Sequence, residues 1–265
     1  MKKAIDRIKN FRITRRVFAY PYILFLVLFV VVPLAMISVN AFIAGGKITL
    51  TNFAEFFGSA TGLRVLGDSI LIGLITCAIC LLLGYPVAYI LNKYSSSKIL
   101  VLLFILPMWV NFLIRTLATK SLFLMLGLPL GLGSVLFGMV YNYLPFMILP
   151  IHTTLSGLGK EYAEAAADLG ADNITVILKT ILPLSLPGII SGITMVFIPT
   201  ISTYAISQLL SNGTIYLFGD SINTKFANGL YGVGSVMSLI MLVLVVISNI
   251  FISKYNKGNS GRTLW

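Results

Sequence analysis

Residues 161–183 read EYAEAAADLGADNITVILKTILP and hold four of the chain's eight acidic residues, Glu161, Glu164, Asp168 and Asp172. Ala and Glu are strong helix formers, acids favour a first helical turn, and Gly170 is a typical stop, so the sequence predicts a short helix ending at the glycine. At about 100° per residue the acids share one face, with Tyr162, Ala166 and Leu169 on another. A second helix is expected after Gly170, capped by Asp172 or Asn173, and it runs into a long apolar stretch. The segment 159–182 is thus a polar elbow between two apolar runs. Its small alanines let another surface approach closely, and its acids offer charge-assisted pairing to Arg or Lys; as a bare composition it also suits a solvated connector.

On either side of this elbow the chain is strongly apolar. With 58% apolar and 10% charged residues among 265, it does not have the surface of a water-soluble domain. Crossing a bilayer takes about 20 mostly apolar residues, and six stretches qualify, near 20–44, 69–91, 99–126, 134–155, 182–210 and 233–253. They lack the alternation of barrel strands, and in lipid every backbone polar group must be paired internally, so each is expected to be a helix. The expected architecture is all-α: a polytopic membrane protein with a six-transmembrane-helix bundle over 20–253, a basic segment 1–19 and a tail 254–265. The first span is too long for a signal-peptide core and no small-residue cleavage site follows it, so it is expected to stay in the mature chain. Prolines fall in or beside five spans, where each removes a helix hydrogen bond and bends the helix.

Fourteen of nineteen Lys and Arg residues fall on one side of this arrangement: Lys2, Lys3, Arg7, Lys9, Arg12, Arg15, Arg16, Lys93, Lys98, Lys160, Lys179, Lys254, Lys257 and Arg262. The positive-inside rule makes that side cytoplasmic, which places both termini and the elbow there. The net charge of +11 gathers beside the first span, where anionic lipid attracts it, so membrane lipid and not nucleic acid is the expected partner. The 1–19 segment also mixes bases with Ile5, Ile8, Phe11 and Ile13, a pattern suited either to an amphipathic helix on the inner leaflet or to a solvated anchor. Cys77 and Cys80 form a CxxC inside an apolar helix with no second ligand pair, and read as buried small hydrophobes, with no metal site. His152 stands alone as a packing or interface histidine. No phosphate-binding loop motif occurs, so no cofactor is expected in this chain.

Beyond the elbow's helices, its spacing carries a resemblance. Glu164-Ala165-Ala166, then Gly170, then Leu182-Pro183 matches in register the EAA signature of binding-protein-dependent ABC importer permeases, with Thr180 where Ile is usual. The stretches LPMWVNFLIRTLA, GMVYNYLPFMILPI and IPTISTYAISQLL resemble the spermidine/putrescine permeases of the B type, over nearly the whole chain. Thr119, where Trp is expected, and the short loop GLPLGLG depart from that pattern.

The resemblance implies a type I importer permease forming half of a polyamine path, beside a second permease, two ATP-hydrolysing subunits that bind ATP and Mg, and an extracellular or periplasmic binding protein. It implies that the elbow, through Glu161, Glu164, Ala165, Ala166, Asp168, Gly170, Leu182 and Pro183, docks on an ATPase subunit in a bacterial cytoplasmic membrane. This chain itself is expected to have no catalytic residue. A related permease for ferric iron or an organic cation is the alternative; an ATP-independent secondary transporter needs intramembrane ionisable groups or an inverted repeat, neither of which is evident.

A polyamine path calls for carboxylates and aromatic faces. Trp109, Tyr143 and Tyr204 supply aromatics, and Asn111, Thr200, Ser207 and Gln208 supply polar atoms. Tyr204, Ser207 and Gln208 lie at helical spacing, facing either a cavity or a packed neighbour. Arg115 costs about 2.5–3.5 kcal/mol at mid-helix. It either snorkels to the outer interface or pairs with Asp68 or Asp220 at an outer gate; those acids otherwise serve as a cap of span two and a loop stabiliser. No acid lies deep in a span, so a tight cation site in this chain is not expected.

Overall fold

The computed structural model describes residues 19–94 and 98–260. Most of the basic segment 1–19, including its amphipathic pattern, and Arg262 lie outside these described residues. The helices in order are α1 (Tyr20–Ala41), α2 (Thr51–Gly58), α3 (Ala60–Tyr94), α4 (Lys98–Ile105), α5 (Phe112–Met125) and α6 (Leu132–Gly157). After them come α7 (Glu161–Asp168), α8 (Asn173–Leu184), α9 (Leu186–Ser202), α10 (Ala205–Ser211), α11 (Phe218–Ala227) and α12 (Tyr231–Ser260). Among the described residues four helices, α1, α3, α6 and α12, are long and apolar enough to cross a membrane unbroken, and two bent pairs raise the number to six.

Two of the six expected spans bend sharply. Span three turns by 95° between Leu102–Trp109 and Phe112–Met125. Pro107 lies in a tight turn there, and the Asn111 side chain accepts a 2.8 Å bond from the Leu113 N–H, starting a new helix instead of continuing the old one. Span five turns by 67° at Ser185, between Pro183 and Pro187, and breaks again at Thr203 and Tyr204 before α10. Over Val27–Val31 and Val176–Ile181 the helix widens by one residue per hydrogen-bonded ring. Pro33 and Pro183 follow closely, and a wider turn takes the carbonyl four residues back out of the way of each proline ring.

Glycines set the centre of the bundle. A Cβ at Gly188 on α9 would lie 2.8 Å from the Pro150 carbonyl oxygen of α6, so this helix approach requires glycine there, while one at Gly192 would lie 3.2 Å from the Met147 carbonyl oxygen, a close but milder contact. Met147, Ile151 and Leu155 of α6 there pack with Ile189 and Val196 of α9, and with Cys77 and Cys80 of α3. α1 packs on α12 through its Val32–Ala41 half.

At the end remote from the elbow, a hairpin pairs Ile43–Ala44 with Lys47–Ile48 across Gly45 and Gly46, both at positive φ as such a tight turn requires. Buried Asn52 donates to the carbonyls of Ala41 (3.0 Å) and Ile43 (2.9 Å), satisfying the end of α1. The stretch 45–68 between the first two expected spans is largely helical. Span two begins at Ala60, so Asp68 does not cap it.

Candidate functional site

The elbow forms from local signals. α7 ends in a glycine turn: the Gly170 N–H donates to Ala167 O at 2.9 Å, the Ala171 N–H to Ala166 O at 3.1 Å, and Gly170 has φ +84°. Asp172 occupies the N-cap position of α8 with extended backbone, and Thr175 holds its carboxyl below the ordinary carboxylate range.

One side of α7 meets the bundle through Ala163 and Ala166, which pack against the core cluster with Ala171 and Leu182. The other presents Glu161, Glu164, Ala165 and Asp168 to solvent, and Pro183 is exposed nearby. Tyr162 and the 90% exposed Leu169, which helical periodicity groups with Ala166, point outward, while Ala166 packs inward. Close helix contact takes alanine and leaves the larger apolar groups outside. The outward surface is therefore acidic and apolar together.

A second region is a 480 Å³ cavity opening between the α4–α5 bend, α6 and the end of α9. Trp109, Asn111, Arg115, Tyr143 and Tyr204, all singled out in the sequence, line it together. Sequence reasoning missed Asn142 and Phe146, which also line it; Asn142 is a polar residue in mid-span, and that was its available signal. Asn142 is fully buried and donates to Gly138 O at 2.8 Å, while its Oδ1 has no partner.

Three expected path residues lie elsewhere. Thr200 is buried and bonds back to Val196 O at 2.7 Å. Ser207 is fully buried with its hydroxyl on Asp220 Oδ2 at 2.6 Å, and Gln208 is exposed and does not line this cavity. For Ser207 and Gln208 the reason is the break at Thr203 and Tyr204, which separates α10 from α9, packs α10 on α5 and α6 and leaves Ser207 within reach of Asp220 on α11.

The expected outer gate is not formed. Asp68 lies 3.9 Å from Arg64 on an exposed face, and Asp220 accepts from Ser207 and from the Leu217 N–H at 2.8 Å. Arg115 pairs with neither acid, and with its side chain buried it does not snorkel to the interface. Its guanidinium carbon lies 5.8 Å from the centre of the Tyr141 ring.

Burial raises the Asp220 carboxyl above its ordinary value, the Ser207 and Leu217 bonds opposing that shift only in part. The folded state therefore binds the proton more readily than the unfolded chain. This contribution to stability is present at acid pH and is lost as pH rises from the ordinary carboxylate value through the raised one. Asp220→Asn keeps an acceptor for both donors and removes the charge at the unpartnered Oδ1, so it is expected to match or exceed wild-type thermal stability at neutral pH. Asp220→Ala leaves two donors unmet and is expected to lose about 1–3 kcal/mol, read as a lower melting temperature in detergent.

The profile of the family described as binding-protein-dependent transport system inner membrane component matches residues 81–258. The chain is 31% identical to the spermidine/putrescine transport system permease protein PotB of Haemophilus influenzae, over 84% of this chain and 87% of that protein. It is 33% identical to PotB of Escherichia coli strain K12, over 77% of this chain and 83% of that one. Among solved structures, a bacterial ABC transporter involved in import of the acidic polysaccharide alginate superposes with a TM-score of 0.64 at 17% identity, over 91% of this chain and 96% of that one, a likeness of fold alone. The chain belongs to the family of binding-protein-dependent transport system inner membrane components.

Proposed function

We propose that the chain is the permease subunit of an ABC importer in a bacterial cytoplasmic membrane, passing polyamines of the spermidine and putrescine class from an external binding protein to the cytoplasm. The observation that carries this reading is the elbow: an exposed acidic and apolar helix, fixed by a glycine turn, in a chain about a third identical to PotB proteins. Both termini and the elbow face the cytoplasm, as the Lys and Arg distribution requires. A second permease completes the path, and two partner subunits bind ATP and Mg and hydrolyse the nucleotide.

Their closure draws the elbows together and rocks the bundles between inward-facing and outward-facing arrangements. α7 is suited to transmit this force because Ala163 and Ala166 tie it to the same core that holds α3, α6 and α9. The cavity supplies aromatic faces for an alkylammonium chain through Trp109, Tyr143 and Tyr204, and no carboxylate among its lining residues. It is a transient passage; selection rests with the binding protein.

The test is uptake of radiolabelled spermidine and putrescine by the complete complex in proteoliposomes. Uptake that needs both ATP and the binding protein is expected. A complex with binding-protein-stimulated ATPase activity that carries neither polyamine would overturn the assignment of substrate.

A further inference from the structure

We propose that Arg115 receives a carboxylate from an acidic side chain of the second permease subunit, inserted into the cavity between α5, α6 and α9. The inference rests on the two-permease reading above. Arg115 is 8% exposed, and its Nε and Nη1 are buried without a hydrogen-bond partner, although the side chain lines a 480 Å³ open cavity. Asn142 Oδ1, on the same cavity, is also unpartnered, so it can take an N–H but brings no charge. The Tyr141 ring is a weak substitute for an anion. A buried guanidinium left in this state is strongly unfavourable, and a carboxylate seated in the cavity would offset its charge.

This chain has no acid to offer among its described residues. Asp68 lies by Arg64, Asp220 is held by Ser207 and Leu217, and Glu55 lines a different cavity with Lys225. Glu161, Glu164, Asp168 and Asp172 are exposed at the elbow. None of the acids among the described residues supplies the counter-charge, and it is assigned to a partner. A polyamine brings only positive charge, and an unpaired Arg115 would repel it from the passage. An acid from the facing subunit meets both needs: it neutralises the guanidinium and removes the barrier. Trp109, 75% exposed on the cavity lining, leaves that approach apolar and unfilled.

The complete transporter tests this by charge reversal. Arg115→Glu is expected to lower polyamine uptake about tenfold or more, and Arg115→Gln to lose a similar amount by stranding the partner's acid, whereas Arg115→Lys stays within about threefold. Reversing the acids in the spans of the second permease to Lys, one at a time beside Arg115→Glu, is expected to yield one combination restored to within about threefold of wild type. The yield of intact complex is read beside uptake for every combination, Arg115→Glu being expected to lower it and the same reversal to restore it.

The proposal is overturned if no reversal restores uptake or yield, or if Arg115→Gln transports like wild type. It is also overturned if glutamate or galacturonate competes with uptake in wild type but not in Arg115→Gln, since the carboxylate would then belong to a solute. A wild-type complex that carries no polyamine overturns the substrate reading alone, because rescue of complex yield by charge reversal is read independently.

Discussion

Gly170→Val is expected to reach the membrane at close to the wild-type level and to transport polyamine at less than about a tenth of the wild-type rate. Gly170 has φ +84°, a region that a β-branched residue enters only at a cost of about 1–2 kcal/mol or more. The bond from the Ala171 N–H to Ala166 O, which closes α7, depends on that conformation and is lost without it. A Cβ at this position would meet nothing within 4 Å in the chain, so the substitution leaves the bundle core intact and changes only the direction in which α7 is carried. That separates assembly from coupling. Asn tolerates left-handed backbone, so Gly170→Asn is expected to keep more transport than Gly170→Ala, and Gly170→Val the least. The measurement is uptake beside binding-protein-stimulated ATPase activity in the reconstituted complex. Wild-type uptake by the Val variant would sink the coupling role of the elbow.

This elbow was the most legible part of the sequence because its determinants are local. Helix-forming alanines, acids in the first turn and a glycine stop all lie within about ten residues, and the glycine turn follows from them. Helix existence was similarly legible, since apolar run length alone decides it. Continuity was not. Hydropathy is blind to a helix that stays apolar while changing direction, as at Pro107 to Asn111 and at Ser185; only the prolines hinted at it. Periodicity grouped Tyr162 and Leu169 with Ala166 but did not say which of them meets the core, where a close helix contact favours Ala163 and Ala166. The fate of the polar residues was least legible. Ser207 and Tyr204 stand three apart, yet one closes on buried Asp220 and the other opens on the cavity. Which way each turns is set by the break at Thr203 and Tyr204 and by where α11 returns. For Arg115, the sequence supplied a charge and its cost but not the cavity into which it is folded.

Gly188→Leu is expected to have the largest effect on the protein itself, reducing the amount of folded chain in the membrane several-fold. A Cβ there would lie 2.5 Å from Thr154 Oγ1 and 2.8 Å from the Pro150 carbonyl oxygen. The hydroxyl can rotate away, but the carbonyl belongs to the α6 backbone, so α9 and α6 have to separate. Overpacking of this kind costs about 1–3 kcal/mol or more, and here it also opens the contacts of Ile189 and Val196 with Met147, Ile151 and Leu155. Gly192 supplies the control. Its Cβ would lie 2.7 Å from Met147 Sδ and 3.2 Å from Met147 O, and the thioether is the flexible part of that contact. Gly192→Ala is therefore expected to lose no more than about 1 kcal/mol. Membrane abundance and melting temperature in detergent distinguish the two variants, and equal values for both would remove the close helix approach as a determinant of stability. The same helix pair also carries function: α6 leads into the elbow at Gly157, and its Asn142, Tyr143 and Phe146 wall the cavity with the end of α9. Any Gly188 variant that survives in the membrane should therefore be impaired in transport as well. Gly170→Val, in contrast, is expected to impair transport while leaving the stability of the bundle unchanged.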